Sequence, residues 1–174
     1  MEKTLAASIA LSLMLAAASP QAMEGMDHAQ APCVAASLPA GMEGWSRRTP
    51  VAAGASATTA TPLPIGEGAT ATLLPMPGVA YAVRPGKAGE PTGHGGLFAF
   101  TVPTAGRYRV ALGSGGWIDV VSGGMPVASA AHAHGPACTD VRKMVDFDLR
   151  PGRHLLQIAG GGSATLPLMV SRLP

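Results

Sequence analysis

The sequence has few charged residues and no asparagine. Charged residues make up 13% of the 174 residues, about half the ~25% usual in soluble domains. The formal net charge of +2, with no basic cluster longer than two residues, argues against a nucleic-acid partner. Without asparagine, turns must rely on Gly, Pro, Asp and Ser, and the chain has 23 Gly and 16 Pro. This composition favours an all-β fold.

Long apolar runs are lacking beyond the N-terminal segment. Lys3 precedes an apolar run over 5–18, which is shorter than the ~18–20 apolar residues that a membrane span requires. We predict that residues 1–22 are a signal peptide, cleaved after Ala18 or Ala22. The sequence therefore predicts a periplasmic or secreted protein without a membrane span.

Cysteine is also scarce, with only Cys33 and Cys138 in the chain. In an exported protein a single pair of cysteines is expected to form a disulfide. This bond would tie the N-terminal part of the mature chain to the segment HAHGPACTD, residues 132–140.

Alternating apolar residues begin near residue 67. We expect an N-terminal tether and extended segment over 23–66 and a β-sandwich domain over 67–174, with no convincing helix. The predicted fold is a two-sheet antiparallel β-sandwich, jelly-roll-like, with one disulfide. The predicted strands include Ala80–Gly86, the segments that carry Tyr108 and Trp117, and Val141–Leu149.

Two segments repeat one plan, FTVPTAGRYRVALG (100–113) and FDLRPGRHLLQIAG (147–160). Each has an aromatic residue, a turn that ends in Gly-Arg, and Tyr108 or His154 at the start of a new alternating strand. The pattern predicts that each segment forms a hairpin.

These hairpins resemble those of carbohydrate-binding-like and pre-peptidase C-terminal sandwiches of secreted bacterial proteins. More narrowly, the chain from Cys33 onward resembles a family of small exported proteobacterial β-sandwich proteins. The resemblance rests on GGLFAFTVPTAGRYRVALGSGGWIDVV, HAHGPACTDVRKMVDFDL and PGRHLLQIAG. Some members of that family are labelled homogentisate 1,2-dioxygenase, and that label implies a non-haem iron enzyme that opens the homogentisate ring.

An iron site of this type needs two histidines and a carboxylate. On a cupin pattern the ligands would be His132, His134 and His154, but Cys138 or Thr139 occupies the position where a cupin has its glutamate. We therefore predict no catalytic residues, and His154 is better explained as the counterpart of Tyr108.

Copper is the alternative cofactor. A Cys33–Cys138 bond would bring Met26 and His28 within reach of His132 and His134. Thioether and imidazole ligands suit copper in an exported protein. The other interpretation is that both histidines are solvated loop residues and that the segment around His28 is a disordered tether.

Trp117, Asp119 and Tyr108 are the candidate ligand-binding residues. Trp117 and Asp119 lie on the same face of a predicted strand, where an aromatic ring and a carboxylate could hold a sugar. Alternatively, Asp119 could simply pair with an arginine. The sequence favours an exported, non-catalytic protein with a binding or structural role, whose partner is a glycan or another envelope component.

Overall fold

The computed structural model describes residue 33, residues 37–87 and residues 92–174. The predicted signal peptide, with Ala18 and Ala22, and the predicted metal ligands Met26 and His28 lie outside the described residues. The described part is built of strands, with one 3₁₀ turn at Met76–Gly78 and no α-helix. Within these ranges, no helical segment has the length and apolar character needed to cross a bilayer.

Two sheets pack against each other. The first sheet contains, in spatial order, β1 (Arg48–Ala52), β3 (Gly68–Thr72), β12 (Thr165–Arg172), β6 (Gly106–Leu112), β10 (Lys143–Leu149) and β9 (Ser129–Ala133). The second contains β2 (Thr61–Pro62), β5 (His94–Val102), β11 (Gly152–Gly161), β7 (Trp117–Ser122) and β8 (Met125–Pro126), with β4 (Leu74–Pro75) also paired to β5. The predicted two-sheet all-β sandwich is confirmed. Both sheets are mixed, however, because β1 pairs with β3 and β2 with β5 in parallel.

Alternation along the strands decides which side chains fill the space between the sheets. Tyr108, Val110 and Leu112 of β6 are buried there, as their spacing predicts. On β7 the core residues are Ile118 and Val120, which leaves Trp117 and Asp119 on the other side of that strand. The remaining core side chains are Leu63, Ala69, Ala71, Leu73, Phe98, Phe100, Val102, Val145, Phe147, Leu149, Leu156, Ile158, Leu166, Leu168 and Val170.

The prediction that the two repeated segments form hairpins is wrong. The chain passes from the second sheet to the first between β5 and β6, and back again between β10 and β11. The pairing occurs between the segments: β5 pairs with β11 and β6 with β10. A glycine turn followed by an alternating strand serves a hairpin and a sheet crossing equally well, so the sequence pattern could not distinguish them.

An aromatic side chain closes each of these two corners. The Tyr108 hydroxyl donates to the Thr104 carbonyl at 2.8 Å, and His154 Nε2 lies 2.9 Å from the Arg150 carbonyl. Both bonds reach back four residues, so Tyr108 and His154 occupy equivalent positions, as predicted. Because a carbonyl only accepts, His154 carries a proton on Nε2.

The residues before β1 cover the outer face of the first sheet. Met42 and Trp45 are fully buried against Ala111, Met144 and Met169. The folded part therefore starts well before residue 67, where the sequence placed the domain boundary. The Ala/Thr-rich stretch in this region has no clear period, and its strands β1 and β2 are both at sheet edges.

The segment 80–86, predicted as a strand, is instead a loop over the outer face of the second sheet. The buried side chain of Gln157, on β11, holds this loop through hydrogen bonds to the loop backbone. Its Oε1 accepts from the backbone N–H of Ala82 at 2.5 Å and of Val83 at 3.1 Å, and its Nε2 donates to the Val83 carbonyl at 3.1 Å. Tyr81 donates to the Ile158 carbonyl at 3.2 Å, and burial raises the pKa of Tyr81.

Two arginine–aspartate pairs join β6 to β10. Arg109 binds Asp146 through two bonds of 2.8 and 2.9 Å, and Arg107 binds Asp148 through two of 2.9 and 3.0 Å. The side chains of the first pair are only 16% and 9% exposed, whereas those of the second are 49% and 65% exposed. The two pairs share one geometry and differ in burial.

We predict that Asp146→Asn lowers the free energy of unfolding by about 3 kcal/mol, because it leaves the Arg109 charge buried without its carboxylate. The matched change Asp148→Asn, at the solvated pair, is expected to have little effect. Urea denaturation of both variants measures the difference. Equal losses would contradict this account of the pairs.

Candidate functional site

A cleft opens where β7 of the second sheet faces β9 and β10 of the first. It has two lobes, of about 340 Å³ and about 530 Å³, and each falls in the range typical of small-molecule sites. The first lobe is lined by Trp117, Ile118, Ser129, His132, Lys143 and Val145. The second is lined by Ser114, Gly115, Gly116, His132, Ala133, His134, Arg142 and Lys143. His132 and Lys143 thus line both lobes.

Lys143 is the charged group at the junction of the lobes. It begins β10 and shares a strand face with Val145 and Phe147, which belong to the core. Its ammonium donates to the Gly116 carbonyl at 2.6 Å and lies 5.4 Å from the centre of the Trp117 ring. Burial lowers the pKa of Lys143 and nearby Lys87 lowers it further, while Asp119 acts in the opposite direction. The surroundings therefore disfavour the charged form of this side chain.

Trp117 and Asp119 are joined as the shared strand face predicts. The indole N–H donates to Asp119 Oδ1 at 2.8 Å, and the Gly86 N–H donates to Oδ2 at 3.4 Å. A Cβ added at Gly86 would lie 2.7 Å from Trp117 Cζ2, so the backbone of Gly86 packs directly on the indole. Between Gly86 and Lys143, Trp117 forms a wall of the cleft instead of an open stacking surface.

Tyr108 lies apart from Trp117. It is 1% exposed, in the core, and belongs to the first sheet, whereas Trp117 belongs to the second. Its hydroxyl is used in the corner to Thr104. A buried phenol offers no surface to a ligand, so the candidate binding residues are reduced to Trp117 and Asp119, to which the structure adds Lys143.

His132 and His134 are both exposed, at the end of the edge strand β9. His132 lines both lobes and His134 lines the second. His134 Nδ1 lies 3.3 Å from the Arg142 carbonyl. Two of the predicted metal ligands therefore lie on the cleft.

The described residues contain no group of three His, Cys, Asp or Glu side chains that could hold a metal ion. His154, which the cupin pattern would require as an iron ligand, is 3% exposed and stacks on Phe100, with ring centres 5.5 Å apart. It lies in the core at one corner and not with His132 and His134. Met26 and His28 lie outside the described residues, so the full copper set stays a prediction.

The loop between β9 and β10 is held at two points. The predicted disulfide is confirmed, and it joins Cys33 to Cys138. Two residues further on, Asp140 accepts from the Trp45 indole at 2.6 Å and pairs with Arg48. This second contact fixes the loop to the segment that covers the first sheet.

Comparison with protein-family models and with curated proteins gave no match to this chain.

We predict that Asp140 makes the fold sensitive to acid. Burial acts to raise the pKa of Asp140, but the bonds from Trp45 and Arg48 and the charge of Arg48 together lower it below its ordinary 3.8. A carboxyl whose pKa is lower in the folded state stabilises above its unfolded pKa, and this contribution is lost as the pH falls through the folded value. Thermal unfolding between pH 5 and pH 2 should therefore show a smaller loss of stability for Asp140→Asn than for the parent protein. Identical slopes would contradict this role.

Proposed function

We propose that the chain is an exported, non-catalytic binding protein of the cell envelope, and that a glycan or another envelope component binds in the two-lobed cleft. The observation that carries the proposal is the meeting of both lobes at Lys143. A partly buried ammonium held against a carbonyl and an indole forms a fixed polar contact in an open cleft, and a few well-placed polar groups in a concave surface are typical of ligand sites. Ser129, His132 and Lys143 beside Trp117 offer a sugar both hydrogen-bonding partners and an apolar edge, which supports a glycan.

Several features favour binding over chemistry at this cleft. Both oxygens of Asp119 already accept hydrogen bonds from Trp117 and Gly86, so this carboxylate serves to position the indole. The disulfide and the contacts of Asp140 hold the loop that carries His134, which pre-organises one side of the cleft and lowers the entropy cost of binding. A secreted or periplasmic location, where such a disulfide persists, would agree with the signal peptide predicted from the sequence.

The test is an NMR titration of the mature, disulfide-bonded protein with soluble envelope glycans, namely peptidoglycan fragments and neutral and acidic oligosaccharides. We expect amide shift changes concentrated at Gly115, Gly116, His132 and Lys143, and weaker binding in the His132→Ala variant. Arg153→Gln is the matched control, because Arg153 lies in a separate groove of about 360 Å³. No shift change with any glycan, or changes confined to that groove, would refute the proposal.

Copper binding is the second candidate function. It is favoured by the two exposed imidazoles of His132 and His134, which stand two residues apart at the end of β9. The loop that follows is tied by the disulfide to Cys33. Imidazole and thioether ligands together suit copper. Met26 and His28 would complete the set in this proposal.

Titration with Cu(I) and Cu(II) separates the two functions. If copper is the ligand, the mature protein is expected to bind with a Kd below about 1 μM, and both His132→Ala and His134→Ala should lose at least tenfold in affinity. Weak binding of equal strength in the parent and both variants would remove the copper candidate.

A further inference from the structure

The charges around the cleft are not balanced. Elsewhere in the described residues, Arg48, Arg107 and Arg109 are each paired with an aspartate. Arg142 and Lys143, which line the cleft, form no ion pair with any described residue. Other described cations also form no ion pair with a described residue, but they are exposed, as Arg142 is, whereas Lys143 is partly buried. These exposed cations are Arg47, Arg84, Lys87, Arg150, Arg153 and Arg172.

Asp119, the described carboxylate that acts on Lys143, does not offset the charge of this lysine. Asp119 is close enough to Lys143 to raise its pKa, but burial and Lys87 outweigh it, so the net pKa is lowered. The two Asp119 oxygens accept from the indole of Trp117 and the amide of Gly86. Lys87 adds a third positive charge on this side of the molecule.

The Lys143 ammonium has hydrogen-bonding capacity to spare. It carries three protons, and among the described residues only the Gly116 carbonyl accepts one. A partly desolvated charge without a counter-ion is unfavourable, and an anionic group entering from either lobe would relieve that cost. Such a charge-assisted bond is about twice as strong as one between neutral groups.

We propose that the cleft is selective for an acidic saccharide, whose carboxylate or phosphate group binds Lys143 at the junction of the lobes. Arg142 and His132 flank this anion, and Trp117 holds the lysine in place beneath it. This inference rests on the proposed function, because it names the chemical class of the ligand that the same cleft receives.

The experiment compares saccharides that differ in charge, by calorimetry and NMR on the mature protein. Trigalacturonate supplies carboxylates, its fully methyl-esterified form is the neutral match, and a phosphorylated maltotriose supplies phosphate. We expect at least one acidic sugar to bind at least tenfold more tightly than the neutral sugar. The tighter of the two acids identifies the group that is recognised.

Variants at Lys143 locate the contact. Lys143→Gln removes the charge and should weaken binding of the acidic sugar about tenfold, within the range measured for hydrogen bonds to charged groups. Lys143→Arg keeps the charge and should retain most of the affinity, and Arg153→Gln should have no effect. Raising the salt from 50 mM to 500 mM should weaken binding to the parent more than binding to the Lys143→Gln variant, which has lost one of the cations near the anion.

Failure of the acidic-ligand inference can be distinguished from failure of the proposed binding function. If the neutral ester binds in the cleft as tightly as the acids, the acidic-ligand inference is overturned and the binding function stands. Loss of affinity in Arg153→Gln instead of Lys143→Gln would place the anion elsewhere and also overturn the inference. If none of the three sugars shifts the cleft amides, both the inference and the glycan-binding function fail.

Discussion

The sandwich is tied together at two equivalent corners, which are among the several places where the chain passes from one sheet to the other. In each corner an aromatic side chain bonds the carbonyl four residues before it, Tyr108 to Thr104 and His154 to Arg150. The two crossing segments pair with each other, so that Phe100 lies opposite His154 and Tyr108 lies opposite Phe147. Each corner joins a strand of one sheet to a strand of the other, and both strands pair with those of the second corner. In the two sheets β7 pairs with β11 and β9 with β10, and residues of β7, β9 and β10 line the cleft.

The cleft results from placing a cation on a core-facing position. Lys143 continues the row of Val145 and Phe147 at the point where the space between the sheets opens. The Gly116 carbonyl and the Trp117 ring stabilise the ammonium in part, yet burial still lowers its pKa. The loop beside it is held by a disulfide that spans 105 positions, a closure for which the chain-entropy model gives an upper figure of roughly 4–5 kcal/mol. The site thus combines a loop held in place by a disulfide with a positive charge that forms no ion pair with the described residues.

Much of the frame could be predicted from the sequence, because it follows from local patterns. Alternation indicated the inward faces of β6 and β7, and a single pair of cysteines in an exported chain indicated the Cys33–Cys138 bond. The same alternation placed Lys143 on the core face of its strand. The alternation that indicates this position is present in the sequence, but Arg142 and Lys143 together resemble an ordinary surface pair.

The remaining features of the fold and the site depend on contacts between residues that are distant in the sequence. Sequence alone could not show that Tyr108 and Trp117 belong to different sheets, or that Gln157 would bind the backbone of Ala82 and Val83 and so make a loop of an alternating segment. The Ala-rich strand β9 also has no strong strand propensity of its own and exists by pairing with β10.

The most direct test of the central claim is the pKa of Lys143, measured by NMR of its side-chain nitrogen with and without bound trigalacturonate. If an anion supplies the missing counter-charge, the pKa should lie below the ordinary lysine value in the free protein and rise in the complex. An unchanged pKa in the saturated complex would show that the bound acid group does not meet Lys143, and would contradict the account.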